Sequence, residues 1–278
     1  MPAILFFFCC LQFSLLNQDD GSSTVAIHEP SLFIAHRGLT SAHLENTLEA
    51  FMAAFDHGVD GVEFDVQLSR DLVPMVFHDR SLERLTGKDL FIEQMDHHEL
   101  SELRQGDDRY RNTYPIYTLT QVLEHMPEGK LINIELKETT KAHGLEGMRK
   151  ILEVIDPYKN TLDPIISSFD PAILELVHNL DDEYLLALLL DKENIIEAYL
   201  DAQAVLEYVD LINPHIDMLN AETSQLIKVL GVPLLLWGHE RLGQEVHFIQ
   251  DDHVGIISDV SEQLGELYSP FAQLPLSP

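Results

Sequence analysis

His36, Arg37, Glu45, Glu63, Asp65, His78, Asp79, Glu135 and Lys137 are residues whose types and spacing suit chemistry. They stand in or beside short apolar runs: Phe33-Ile34-Ala35-His36-Arg37, Val62-Glu63-Phe64-Asp65-Val66, Val76-Phe77-His78-Asp79 and Ile134-Glu135-Leu136-Lys137. An unpaired charge in an apolar interior costs several kcal/mol or more, so core formation alone does not explain them. Residues two apart in a strand share a face, which puts Glu63 beside Asp65 and Glu135 beside Lys137. Three carboxylates converging at one mouth repel one another unless a cation neutralises them. An all-oxygen ligand set of this kind favours Mg²⁺ or Ca²⁺ over a thiolate-seeking metal. Arg37 and Lys137 add fixed positive charge suited to an anionic group, and His36 and His78 exchange protons near neutrality. Cation, fixed positive charge and two imidazoles together describe phosphoryl chemistry.

The elements that must position these groups alternate regularly. The pattern predicts strands over 32–36, 61–68, 131–137, 165–169, 184–190, 211–213, 232–237 and 255–258. Between them it predicts helices over 47–57, 119–126, 145–155, 171–180, 196–208, 221–230 and 240–250. In the first helix Leu48, Phe51, Met52 and Phe55 recur at helical spacing, and Asn46 or Thr47 supplies a cap. Eight strands in such regular alternation argue for an α/β chain that closes into a (β/α)8 TIM barrel, ahead of a doubly wound open sheet. Barrel enzymes carry their catalytic groups at the carboxyl ends of the strands, where His36, Glu63, Asp65, Glu135, Lys137, Ser168, Trp237 and Asp259 all fall. The run 73–78 follows the second strand too closely for a parallel crossover, so it is expected to fold back as an antiparallel hairpin that returns His78 and Asp79 to the mouth. Residues 80–117, charged and poor in long apolar runs, are expected as a small inserted subdomain over one end of the barrel. The domain reading is a leader and linker over 1–30 and one barrel domain over 31–278.

Composition narrows the field. Asp and Glu outnumber Lys and Arg by 47 to 17, for a formal net charge of −30, which disfavours nucleic acid and anionic membrane surfaces as partners. The two cysteines, Cys9 and Cys10, both lie in the first apolar stretch, so the body has neither a disulfide framework nor a cysteine nucleophile. That stretch, 3–16, is too short to span a bilayer comfortably and lacks the basic start of a secretory signal. A cytoplasmic location is the expectation, with export or tethering through residues 1–20 as the alternative.

The chain also resembles the glycerophosphodiester phosphodiesterases. The resemblance is carried by His36-Arg37-Gly38, Glu45-Asn46-Thr47, Glu63-Phe64-Asp65-Val66, His78-Asp79 with Leu82 and Thr86-Gly87, Glu135-Leu136-Lys137, Trp237 and Ile256-Ile257-Ser258-Asp259. It spans about residues 32–265 and implies a barrel with an insertion after the His-Asp pair. The implied reaction is metal-dependent hydrolysis of glycerophosphodiesters to glycerol 3-phosphate and an alcohol. By this resemblance Glu63, Asp65 and Glu135 are metal ligands for one divalent cation, and His36 and His78 are the acid/base pair. Arg37 and Lys137 contact the phosphate, Glu45 joins the polar network of the mouth, and Trp237 walls the glycerol. The chain departs from the family at Leu44, where proline is usual, at Leu72, where a turn glycine is common, and at Gly238-His239-Glu240 after the tryptophan.

Competing readings are a lysophospholipase D, which calls for an apolar rim near 80–117, and a catalytically inactive barrel that binds phosphodiesters. The second predicts a missing histidine or carboxylate, and none is missing. At single residues, Trp237 has a core reading, Lys137 a reading as the partner of Glu135 or Asp65, and Asp259 reads as a cap or turn residue.

Overall fold

The computed structural model describes residues 32–191, 202–218, 229–239 and 253–259. In chain order its strands are β1 (Leu32–His36), β2 (Gly61–Leu68), β3 (Pro74–Val76), β4 (Arg104–Gln105), β5 (Tyr114–Pro115) and β6 (Tyr117–Thr118). They continue with β7 (Leu131–Leu136), β8 (Asp163–Ser168), β9 (Leu185–Leu190), β10 (Leu211–Pro214), β11 (Leu234–His239) and β12 (His253–Ser258). Parallel pairing runs from β1 to β2 and on through β7, β8, β9, β10, β11 and β12, which pairs back to β1. The expected eight-stranded parallel barrel is therefore closed.

Strand alternation decides what each face of the barrel wall carries. On β2 the outward residues Val62, Phe64, Val66 and Leu68 join Ile132, Ile134 and Leu136 of β7 in the main apolar cluster, against helix residues such as Phe51, Ile151 and Leu174. Phe51 and Phe64, with ring centroids 5.4 Å apart, are both fully buried. Such burial is worth about 1.5–3 kcal/mol per side chain. The inward face begins as an apolar floor of Ile34, Leu131, Ile165, Ala187, Leu211, Leu235 and Ile257. At that level β2 contributes Gly61, in register with Ile34 and Leu131, where a Cβ would lie 2.6 Å from the Leu131 carbonyl oxygen. Two residues further along the same face come His36, Glu63, Asn133, Ser167, Trp237 and Asp259. The floor is thus apolar and the mouth polar.

The helices stand where their caps put them. Thr47, in extended conformation, accepts the Ala50 N–H on Oγ1 at 3.2 Å and starts the helix Leu48–Asp56. Asp170 accepts the Ala172 N–H at 2.9 Å ahead of the Pro171–Leu180 helix, whose first residue is the proline that position tolerates. The helix expected over 240–250, most of that over 221–230, the first part of that over 196–208, and residues 1–30 lie outside the described residues.

The expected hairpin forms: β3 runs antiparallel to β2, with Val66 opposite Val76 and Leu68 opposite Pro74. Between β3 and β6 the chain makes two short helices, Glu83–Thr86 and His97–Glu102, and the β4–β5 pair. Leu82, Leu85, Ile92, Leu100, Tyr114 and Ile116 gather there into a second apolar cluster with Leu44, Met75 and Phe77. Leu44, at the usual proline position, is wholly buried in that cluster. Among the described residues no helix is long and apolar enough to cross a membrane.

Candidate active site

Glu63 and Asp65 on β2 and Glu135 on β7 are buried, and one carboxylate oxygen of each lies within 4.8 Å of the others. Asp65 and Glu135 are register partners on adjacent strands. Burial, and then the charge of Asp65, push the Glu63 carboxyl up to about 8. Burial would raise Asp65 too, but the charges of Lys137 and Arg37 outweigh it and hold Asp65 well below the usual carboxylate range. The Lys137 ammonium sits 2.9 Å from Asp65 Oδ1 and 2.5 Å from Glu135 Oε1. Burial opposes its charge, yet those two carboxylates keep its pKa raised.

The turn after β1 brings cations to the same place. Arg37 adopts a left-handed backbone, φ 55°, which is strained for a residue with a Cβ. This conformation turns its N–H onto Glu63 Oε2 at 3.1 Å, its Nη1 onto Glu45 Oε1 at 3.1 Å, and its Nε to within 3.3 Å of Asp65 Oδ2. Gly38 follows at φ +85°, and a Cβ there would meet Ala50 at 2.7 Å, so the glycine lets the chain cross the first helix. Asn46, also left-handed at φ 57°, donates from Nδ2 to Asp65 Oδ2 at 2.7 Å and accepts the Asp65 N–H at 3.2 Å. Asparagine tolerates this conformation better than other side chains, and here it locks the carboxylate strand to the first loop.

The three carboxylates fit a hard divalent cation. Glu63 Oε1 is buried without a hydrogen-bond partner, and a bound cation would offset both the burial and the Asp65 charge that raise the Glu63 pKa.

Each histidine has a carboxylate on Nδ1. His36 donates from Nδ1 to Asp259 Oδ1 at 2.7 Å, with its Nε2 3.8 Å from Glu63 Oε2. His78 donates from Nδ1 to Asp79 Oδ1 at 2.6 Å. An ionised carboxylate only accepts, so the proton sits on Nδ1 and the neutral ring exchanges protons through Nε2. Burial would depress the His36 pKa, but the Asp259 bond and the charge of Glu63 outweigh it and hold the ring above its ordinary value. Arg84, from the segment after β3, ties the two halves of the mouth together. It donates from Nη1 and Nη2 to both Glu45 oxygens at 2.9 and 2.7 Å, and from Nε to Asp79 Oδ2 at 2.5 Å. Against burial, the bonds from His78 and Arg84 hold Asp79 well below the usual carboxylate range.

A cleft of about 500 Å³ opens beside the carboxylates, lined among others by His78, Arg80, Glu135, Lys137, Phe169 and Asp170. Trp237 stands edge-on to Phe169 at 5.3 Å and to His215 at 4.6 Å, and its indole N–H donates to the Leu190 carbonyl at 3.2 Å. The departure at Gly238 has a steric cause: at φ +84°, a Cβ there would lie 2.3 Å from His215 Nε2. The histidine ring fills the space that a side chain at 238 would need.

His36, Arg37, Glu45, Glu63, Asp65, Glu135 and Lys137 are thus brought together by direct contacts. His78 joins them through Asp79 and Arg84, while Trp237 stands on the β11 side with Phe169. Asp259, read from sequence as a cap or turn residue, does lie in the turn after β12, and its carboxylate is also the partner of His36. Sequence reasoning passed over Arg84 and His215, and named Asn46 as a cap and as part of the Glu45-Asn46-Thr47 motif but gave it no part in holding Asp65. A period-2 reading of β2 does place Gln67 on the face of Glu63 and Asp65, a signal that could have singled it out.

A closed (β/α)8 barrel with acidic and basic groups gathered at the carboxyl ends of its strands is the arrangement of TIM-barrel enzymes. The model of the glycerophosphoryl diester phosphodiesterase family matches residues 36–262, and the chain belongs to this family. A relative in Caldanaerobacter subterraneus subsp. tengcongensis, a glycerophosphodiester phosphodiesterase, is 30% identical over 239 residues, 84% of this chain and 96% of that one. The glycerophosphodiester phosphodiesterase of Thermotoga maritima superposes with a TM-score of 0.69 at 30% identity, covering 86% of this chain and 99% of that one. An Oleispira antarctica phosphodiesterase shares the fold, with a TM-score of 0.72 at 24% identity over 86% of this chain and 96% of that one.

Proposed function

We propose that this enzyme hydrolyses glycerophosphodiesters, the deacylated phospholipids, to sn-glycerol 3-phosphate and an alcohol, with His36 and His78 as its proton-transfer pair. The observation that carries this reading is the pair of imidazoles, each fixed by a carboxylate on Nδ1, beside one buried cluster of three carboxylates. Displacement at phosphorus needs a proton removed from the nucleophile and one delivered to the departing alkoxide, which two such rings supply. Glu63, Asp65 and Glu135 would hold one divalent cation, Mg²⁺ or Ca²⁺. When bound, it supplies neutralisation of the phosphate oxygens as charge develops on them. Arg37 and Lys137 hold the anionic group, Glu45 keeps the Arg37 guanidinium aimed, and Trp237 offers a flat wall to the glycerol. Residues 31–278 form a single phosphodiesterase domain in this reading, with 80–117 as an inserted excursion. The names and identities of the bacterial relatives support the same substrate class.

One observation favours a longer substrate as the second reading. Leu90 and Phe91 are 41% and 38% exposed, and Phe91 lies under the guanidinium of the cleft residue Arg80 at 4.8 Å. An apolar rim of this kind suits the acyl chain of a lysophospholipid.

The test is release of glycerol 3-phosphate from glycerophosphocholine by purified protein. It is run with EDTA, with Mg²⁺ or Ca²⁺ restored, and with His36→Ala. The expected outcome is activity that chelation abolishes, one cation restores and the variant lacks. Turnover of lysophosphatidylcholine alone would move the assignment to the second reading, and no turnover of either substrate would overturn both.

A further inference from the structure

The ladder between β2 and β3 ends one residue short of the histidine it serves. β3 stops at Val76, and after the Phe77 N–H donates to the Asp65 carbonyl at 3.0 Å the backbone leaves the sheet. The carbonyls of Phe77, His78 and Asp79 all find the same partner. Gln67 Nε2 lies 3.0, 3.0 and 2.8 Å from them, its two hydrogens shared among the three oxygens. The other end of that amide, Oε1, accepts the Thr139 hydroxyl at 2.9 Å, just beyond Glu135 and Lys137. Gln67 is fully buried.

We propose that Gln67 is a positioning residue for His78: its side-chain amide replaces the missing ladder and fixes the His78–Asp79 backbone to the strand that carries Glu63 and Asp65. This inference rests on the proton-transfer role given to His78 above. Three successive carbonyls held by one amide leave the segment no freedom to slide along the strand, because any slide breaks several bonds at once. A buried carbonyl left without a donor carries an uncompensated desolvation cost, so the segment does not settle in the same place once the amide is gone. Thr139 holds the amide itself, since a rotated carboxamide would aim its oxygen at the three carbonyls. One side chain thereby couples the positions of a carboxylate strand, a histidine and the loop after β7. Asp79 and Arg84 then set the ring within a backbone that Gln67 has already fixed.

Gln67→Met keeps the approximate volume and removes every donor, and Gln67→Asn keeps the amide but withdraws it by one methylene. In crystals of either variant the barrel strands should superpose on the parent while residues 77–79 shift by more than about 1 Å or lose order. In steady-state kinetics kcat should fall by about 10²-fold, the scale expected for an ångström of misplacement, with KM held within about threefold. The same substitution in a His78→Ala background should cost less than about twofold, because a residue that acts through His78 has nothing left to position. An unmoved 77–79 segment, or an undiminished loss without His78, overturns the inference. Should the parent enzyme turn over no glycerophosphodiester, the proposed reaction fails while the crystallographic comparison still decides the role of Gln67.

Discussion

The two histidines of the mouth are held by different kinds of structure. His36 ends β1, a barrel strand paired on both sides, and its carboxylate partner Asp259 arrives from the turn directly after β12, 223 residues away in sequence. His78 lies beyond the barrel on an appended hairpin, and its partner Asp79 is the next residue. The first dyad inherits its geometry from the backbone ladder of the closed sheet. The second owes its geometry to side chains: Gln67 under its backbone and Arg84 on its carboxylate. A closed barrel supplies rigidity at every strand end without further help. A hairpin added to it needs a separate network to reach the same precision, and there this sequence places the buried amide of Gln67 and the partly exposed guanidinium of Arg84.

The sharpest way to break this comparison is to remove the two carboxylates in turn. Asp259→Asn and Asp79→Asn each keep volume while replacing the acceptor that fixes the Nδ1 proton. Each should lower kcat by about 10²-fold or more, as expected when a histidine loses the carboxylate that sets its tautomer. The two should differ in crystals. Asp259→Asn should leave the His36 backbone in place, whereas Asp79→Asn should also release Arg84 Nε and disorder the side chains between Asp79 and Glu45. Equal structural responses at both sites would show that the hairpin histidine is no more dependent on side chains than the barrel one.

The same contrast explains what the sequence disclosed and what it withheld. β1 and β2 could be placed to the residue because a strand with one apolar and one polar buried face has an unambiguous period, visible in Val62, Phe64 and Val66 against Glu63 and Asp65. Thr47 could be named as a cap because capping is local. Asp259 could not be matched to His36, since nothing in a short turn sequence records a partner 223 residues distant. Arg84 was lost in a charged stretch that reads as solvated surface, although its guanidinium bonds two acids of the mouth. Gln67 stood in plain view on the functional face of β2. A neutral amide gives no warning by charge, and only the carbonyls above it reveal its use.

A smaller effect separates the halves by pH. In the metal-free protein the Glu63 carboxyl has a folded pKa raised to about 8 from 4.5. A carboxyl with a raised pKa binds more protons folded than unfolded, so its linkage makes stability fall as pH rises from about 4.5 through 8. Asp65 runs the other way: its depressed pKa contributes stability that is lost only as pH falls below the usual carboxylate range, outside that window. Thermal unfolding with EDTA present should therefore show Tm falling by several degrees between pH 5 and pH 8. Mg²⁺ or Ca²⁺ at pH 8 should restore it, and Glu63→Gln should flatten the slope. A slope unchanged in Glu63→Gln would place the pH sensitivity elsewhere than in the carboxylates beside His36.

The smallest expected effect lies at the turn of the hairpin that carries His78. Leu72 has φ 61°, in the left-handed region, where a Cβ costs about 1–2 kcal/mol. The turn around it is otherwise well bonded: the Leu72 N–H reaches the Ser69 carbonyl at 3.0 Å, and Ser69 Oγ accepts the Val73 N–H at 2.9 Å. Leu72→Gly removes the steric cost and gives back part of the gain through a more flexible unfolded chain, about 0.5–1 kcal/mol, and through the lost contacts of a half-buried leucine. The balance should be a stabilisation of about 0.5 kcal/mol, read as a rise in Tm of about 1–2 °C in a domain of this size. Activity should stay within about twofold, because Gln67 and Arg84, not the turn, set the position of His78. A fall in Tm would mean that leucine packing outweighs backbone strain at this corner. A gain in kcat would mean that the turn, too, takes part in holding the hairpin histidine.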